Sequence, residues 1–124
     1  EFVPWSSVNI GLQNIDEFLN QEEKNNVEKS VREAAYEIIN KKGATYYGIG
    51  MCLVRITNAI LGNENAIITV SNYDEENGIY IGLPAIINKT GVSKKMKVNL
   101  TQSESQKFQN SVNIIKNAIA KISE

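Results

Sequence analysis

The sequence has no histidine, one cysteine and two prolines. Each shortage closes a chemical route. Without histidine, neither a Ser–His nor a Cys–His nucleophilic pair can be assembled from these residues. A zinc site would lack its usual nitrogen and sulfur ligands, so no metal-binding residue is expected. The lone Cys52 cannot form an internal disulfide, which fits a reducing compartment. It falls on the apolar face of a helical pattern, where a buried, inert thiol is expected. Net charge is −1, so there is neither a basic field for nucleic acid nor a polybasic patch for a membrane surface. No apolar run reaches the length of a membrane span, and no signal-peptide pattern opens the chain.

What is present reads as one domain over residues 1–124, long enough to bury a core. Phe2 to Ile10 is expected to be a strand, held to an edge or an irregular course by Pro4. Gly11 to Leu19 reads as a connector. Asn20 with Glu23 forms a capping-box pattern that starts a long helix. Its apolar stripe is Val27, Val31, Ala34, Ala35, Ile38 and Ile39. Lys41 and Lys42 suit its C-terminal dipole, and Gly43 ends it. Thr45 can cap a second helix, whose apolar face carries Ile49, Cys52, Leu53, Ile56, Ala59 and Ile60. Gly62-Asn63 stops that helix. Gly48 and Gly50 lie within it at a cost of about 1 kcal/mol each against alanine, so a close-packed neighbour is expected there.

The second half reads as an antiparallel meander and a final helix. Ala66 to Tyr73 is strand-like, and Asp74 to Gly78 is a polar turn. Ile79 to Asn88 is the next strand, its pairing bent or ended by Gly82 and Pro84. After a turn at Thr90-Gly91, Lys94 to Leu100 alternates Met96, Val98 and Leu100 with polar residues, so a third strand is expected. Thr101 and Glu104 repeat the capping-box pattern. Phe108, Val112, Ile115, Ile119 and Ile122 then form a stripe suited to packing on the sheet. The fold class expected is α+β, an antiparallel sheet packed by long helices.

Few residues suggest chemistry. Glu22-Glu23 and Glu75-Glu76 are adjacent acids that diverge rather than converge. Gly48-Ile49-Gly50 lacks the spacing and the preceding strand of a phosphate loop. The Asn88 and Asn99 glycosylation triplets are read as unmodified loop or strand-end residues. Trp5 is expected in a core or a subunit contact. The strongest candidate is the corner between the two helices, where a hydroxyl, Thr45, stands beside an apolar residue.

Val31 to Gly50, VREAAYEIINKKGATYYGIG, closely resembles the substrate-domain helix pair of bacterial L-lactate dehydrogenases. The likeness extends to EFVPWS at Glu1 to Ser6, similar to the segment after that family's His-Gly-Asp-Ser-Glu motif. It continues through NENAIITV at Asn63 to Val70 and YIGLPAI at Tyr80 to Ile86. The final helix matches in position too. The resemblance implies the C-terminal substrate domain of such an enzyme. It implies a parent that interconverts pyruvate and L-lactate with NAD, in the cytoplasm, within glycolysis and fermentation, as a homo-oligomer, usually a tetramer. It implies that Thr45 and Ala35 are substrate-binding, with Ala34 beside them, that Ile49 packs on the nicotinamide ring, and that Tyr36 stands behind the pocket. It also implies that the catalytic histidine precedes the residue matched by Glu1, together with the cofactor domain and the substrate arginines. No catalytic residue is then expected within these residues, and alone they should be inactive. Malate or another 2-hydroxy-acid dehydrogenase is the nearest alternative, since these share the domain. A free-standing assembly module without chemistry is the alternative from another class.

Overall fold

The computed structural model describes residues 2–122. Glu1, the first residue of the EFVPWS segment, lies outside the described residues. The chain divides into two compact units, Phe2–Val54 and Arg55 onward.

In the first unit, a single 3-10 turn occupies Trp5–Ser7 and a minimal hairpin follows, β1 (Asn9–Ile10) against β2 (Gln13–Asn14). The long opening strand expected from the sequence is therefore not formed. Pro4 starts the turn instead: its carbonyl accepts from Ser7 N at 2.9 Å, and Trp5 O accepts from Val8 N at 3.1 Å. Those local bonds use groups that a sheet ladder would need. The stretch read as a connector holds β2 and a second 3-10 turn at Ile15–Glu17. Gly11 makes the hairpin possible by taking φ +63°.

Helix α1 (Gln21–Lys42) begins as its sequence demands. Asn20 Oδ1 accepts from the backbone of Glu22 and Glu23, and Glu23 Oε2 accepts from Asn20 N at 2.8 Å. The helix ends at Gly43, which adopts φ +79° and donates to Ile39 O at 2.7 Å. Helix α2 (Tyr46–Leu61) follows. The apolar stripe of α1 stays exposed, Val31 at 68%.

In the second unit, β3 (Ala66–Asp74), β4 (Ile79–Asn88) and β5 (Gly91–Lys95) form the meander in order β3-β4-β5. The odd-numbered residues of β4 share one face, because side chains alternate along a strand. Ile79, Ile81, Ala85 and Ile87 on that face are buried, while Tyr80 and Gly82 on the other are exposed. Their partners on β3 are Asp74, Asn72, Ile68 and Ala66, and Val70 pairs with Leu83 on the same face. Ala59 and Ile60 at the end of α2 cover Ala85 and Ile87. Helix α3 (Gln102–Ala120) covers the other end, with Phe108, Val112 and Ile115 on Ile79, Ile81 and Leu83. Val112 is 1% exposed. Burial of such a side chain contributes about 1.5–3 kcal/mol. Asn72 is a buried polar residue on this face, and its amide donates to Val70 O and Leu83 O at 3.1 and 2.9 Å. It is buried without being orphaned.

Two expectations need correction here. Gly82 and Pro84 do not end the pairing of β4, which runs on through Ser71↔Gly82 and Thr69↔Pro84. The third strand lies earlier than its alternation suggested. Gly91, at φ +85°, turns the chain at once into β5, which ends at Lys95. Met96 N still donates to Pro84 O at 2.9 Å, but the residues beyond it form no strand. The alternation is nevertheless physical: Met96, Val98 and Leu100 are half-buried, and Lys97 and Asn99 are exposed.

Candidate functional site

The corner lies wholly in the unit Phe2–Val54. Gly43 sets it. A left-handed residue is needed to end α1 there, and only glycine takes that conformation without penalty. A Cβ at Gly43 would meet nothing within 4 Å, so the constraint is the backbone angle rather than crowding. Ala44 and Thr45 are half-buried, and α2 starts at Tyr46. Thr45 thus stands where a cap residue stands. Its hydroxyl makes no hydrogen bond among the described residues, so the expected cap bond is not formed.

Thr45 and Ile49 are four residues apart, which places them on one face of the turn that opens α2. Ile49 is 60% exposed. Ala35 is brought into this region only by sequence: it lies on α1, about two turns before Gly43, exposed, and is not part of that face. Ala34 and Tyr36 beside it are exposed as well. Gly48 and Gly50 face open space, with no atom within 4 Å of a Cβ added at either. The close-packed neighbour expected for them is absent among the described residues. Cys52 is exposed rather than buried.

From Gly43 to Gly50 there is no carboxylate, amine or imidazole. The corner presents the Thr45 hydroxyl, the apolar Ile49 and the exposed phenols of Tyr46 and Tyr47. No group of three or more His, Cys, Asp or Glu able to hold a metal ion occurs among the described residues. Among the described residues no helix is long and apolar enough to cross a membrane.

One cluster had no sequence signal. Lys24, near the start of α1, is 6% exposed. Its ammonium pairs with Asp16 and lies 5.9 Å from the centre of the Trp5 ring. Trp5 Nε1 is itself buried and has no partner among the described residues. These residues are eight or more positions apart in sequence, and no periodic pattern links them.

Comparison with known proteins extends the local geometry. The family model described as lactate/malate dehydrogenase, alpha/beta C-terminal domain, matches residues 1–124. An L-lactate dehydrogenase of a Geobacillus species is 46% identical over 132 aligned positions, covering 98% of this chain and 41% of that protein. L-lactate dehydrogenase 1 of Bacillus cereus is 43% identical, with 98% and 42% covered. The chain thus spans about two-fifths of the length of these curated relatives. Among solved structures, a lactate dehydrogenase from a deep-sea metagenome superposes with a TM-score of 0.91 at 43% identity, covering 99% of this chain and 43% of that one. The malate dehydrogenase of Picrophilus torridus superposes at 0.81 with 25% identity, covering 94% and 40%.

Proposed function

This chain belongs to the lactate/malate dehydrogenase family, matching its C-terminal domain, and from that premise we propose that it is the substrate side of an NAD-dependent L-lactate dehydrogenase. The observation that carries the choice within the family is the contrast in identity. It is 46% to an L-lactate dehydrogenase and 25% to a malate dehydrogenase, at nearly full coverage of this chain in both.

The corner fits the role. In this reading Thr45 offers its hydroxyl to a bound 2-oxo acid, and the exposed Ile49 supplies an apolar surface for the face of a nicotinamide ring. Ala35, with Ala34, keeps the neighbouring wall small. When bound, NADH supplies the hydride that reduces the carbonyl. In this reading the proton is carried by the histidine that the family resemblance implies, a residue type these residues do not contain. Their share is orientation and exclusion of water around the substrate. The whole enzyme is proposed to work in the cytoplasm as a homo-oligomer, a tetramer, on pyruvate and L-lactate.

Thr45→Gly in the full-length enzyme tests this reading. It removes bulk and a hydroxyl, so larger 2-oxo acids gain relative to pyruvate. The expected change in discrimination is about 1–3 kcal/mol, the range for small pocket alterations. The measurement is the ratio of kcat/KM for pyruvate over a branched 2-oxo acid, with a denaturant midpoint beside it. A fixed ratio with lowered stability would make Thr45 a structural residue only, and the reading of this corner would fail.

A further inference from the structure

The turn between β3 and β4 contains the one Asn-Gly pair of the sequence, Asn77-Gly78. Asparagine before glycine is chemically exposed. Glycine has no side chain to hinder its nitrogen, and its backbone reaches conformations closed to other residues. The Gly78 nitrogen, on losing its proton to solvent, can attack Asn77 Cγ. A new C–N bond closes a five-membered succinimide, the bond from Cγ to Nδ2 breaks, and ammonia leaves. Water then opens the ring at either carbonyl, leaving aspartate or isoaspartate. The balance is one water in and one ammonia out, with no oxidant or reductant.

In the folded turn both reacting groups are held by a single residue. Asn77 Nδ2 donates to Asp74 Oδ2 at 2.7 Å. Gly78 N donates to Asp74 O at 2.8 Å. Glu76 N donates to Asp74 Oδ1 at 3.3 Å, which fixes the carboxylate between them. The amide that must be attacked is tethered, and the N–H that must ionise is engaged. Asn77 is also half-buried. We propose that Asn77-Gly78 is a deamidation site of this protein and that Asp74 guards it in the folded state.

The product matters to the fold. Asp74 pairs with Ile79 as the last rung of the β3–β4 ladder. Isoaspartate at position 77 adds a backbone atom between those partners. Ile79 is a buried residue packed with Val112, so the strain falls on the core under α3. Deamidation therefore loosens this end of the sheet as the protein ages.

The test is peptide mapping by mass spectrometry after incubation at mildly alkaline pH, with isoaspartate quantified at position 77. In the native protein conversion should be slow. In urea, where the Asp74 bonds are gone, Asn77 should convert faster than every other asparagine. Asp74→Ala should accelerate conversion in folded protein about fivefold, the factor carried by one ordinary net hydrogen bond. Asp74→Asn, which keeps an acceptor oxygen, should fall between. Equal rates for Asn77 in native and urea-unfolded wild-type protein would overturn the guarding role without any variant. A folded Asp74→Ala protein that converts at the wild-type rate would overturn it as well. Faster conversion at another asparagine in urea would overturn the assignment of the site.

Discussion

At the residue scale, Glu75 shows how local contacts tune a single group. Its carboxyl is held below the usual value, first by the hydrogen bond from Lys95 Nζ. The same ammonium donates to Tyr73 O at 2.6 Å, so it joins the β3–β4 turn to β5. A depressed folded pKa means that the pair favours the folded state once Glu75 is ionised above its unfolded value. That contribution disappears as pH falls through the folded value, on the acid side of the ordinary glutamate range. Following the Glu75 carboxyl by NMR across an acid titration, we expect its midpoint to rise in Lys95→Met. A midpoint that does not move would show that the pair is absent in solution. At the corner Gly43 ends α1 as its type suggests, whereas the cap bond expected of the Thr45 hydroxyl is not formed among the described residues. Cys52 is exposed despite its place on an apolar stripe, because helical periodicity reports which face is apolar and not whether anything covers it.

At the element scale, the helix ends are set by short-range bonds. Thr101 N donates to Glu104 Oε2 at 2.8 Å, and Glu104 N donates to Thr101 Oγ1 at 3.3 Å. The Thr101 hydroxyl also donates to the same carboxylate oxygen at 2.9 Å, and Glu104 is only 7% exposed. Thr101→Ala should therefore cost about 1 kcal/mol, read as a lowered denaturant midpoint at constant slope. An unchanged midpoint would mean that the box does not form. The end of α1 rests on Gly43 instead. Gly43→Ala meets no steric obstacle and must still take φ +79°, a penalty of about 1–2 kcal/mol for a residue with a Cβ. Gly43→Asn should recover part of that loss, because asparagine tolerates the left-handed region. Equal thermal stability of wild type and Gly43→Ala would show that the corner relaxes to another conformation. Strand limits were harder to read than helix limits. Pro4 diverted the first segment into a 3-10 turn, and Gly91 moved β5 toward the N-terminus of its expected position.

At the scale of the whole molecule, the two units differ in how they use their apolar residues. From Arg55 onward, Ala59, Ile79, Ile81, Ala85, Ile87 and Val112 are buried on one face of the sheet, while Leu61, Ile67 and Ile114 stay exposed. In residues 2–54, Val31, Ile38, Ile39, Ile49 and Leu53 remain exposed, although the sequence patterns them as helix faces. Exposed apolar side chains of this kind favour association. The isolated 124-residue chain should therefore self-associate at high concentration, seen as a mass above that of the monomer by light scattering. A monodisperse monomer would count against it.

By itself, the sequence determined the starts of α1 and α3, the stop at Gly43, the end of α2 at Leu61 and the β4 strand from Ile79 to Asn88. These features rest on hydrogen bonds and backbone preferences within three or four residues, or on an alternation that one strand carries alone. Tertiary structure decided the rest. It chose the limits of β5, which residues of the helix stripes are covered, and the pairing of Lys24 with Asp16 beneath Trp5. Burial and pairing of this kind depend on surface that other elements bring from elsewhere in the chain, and a local pattern can offer a face without supplying its cover.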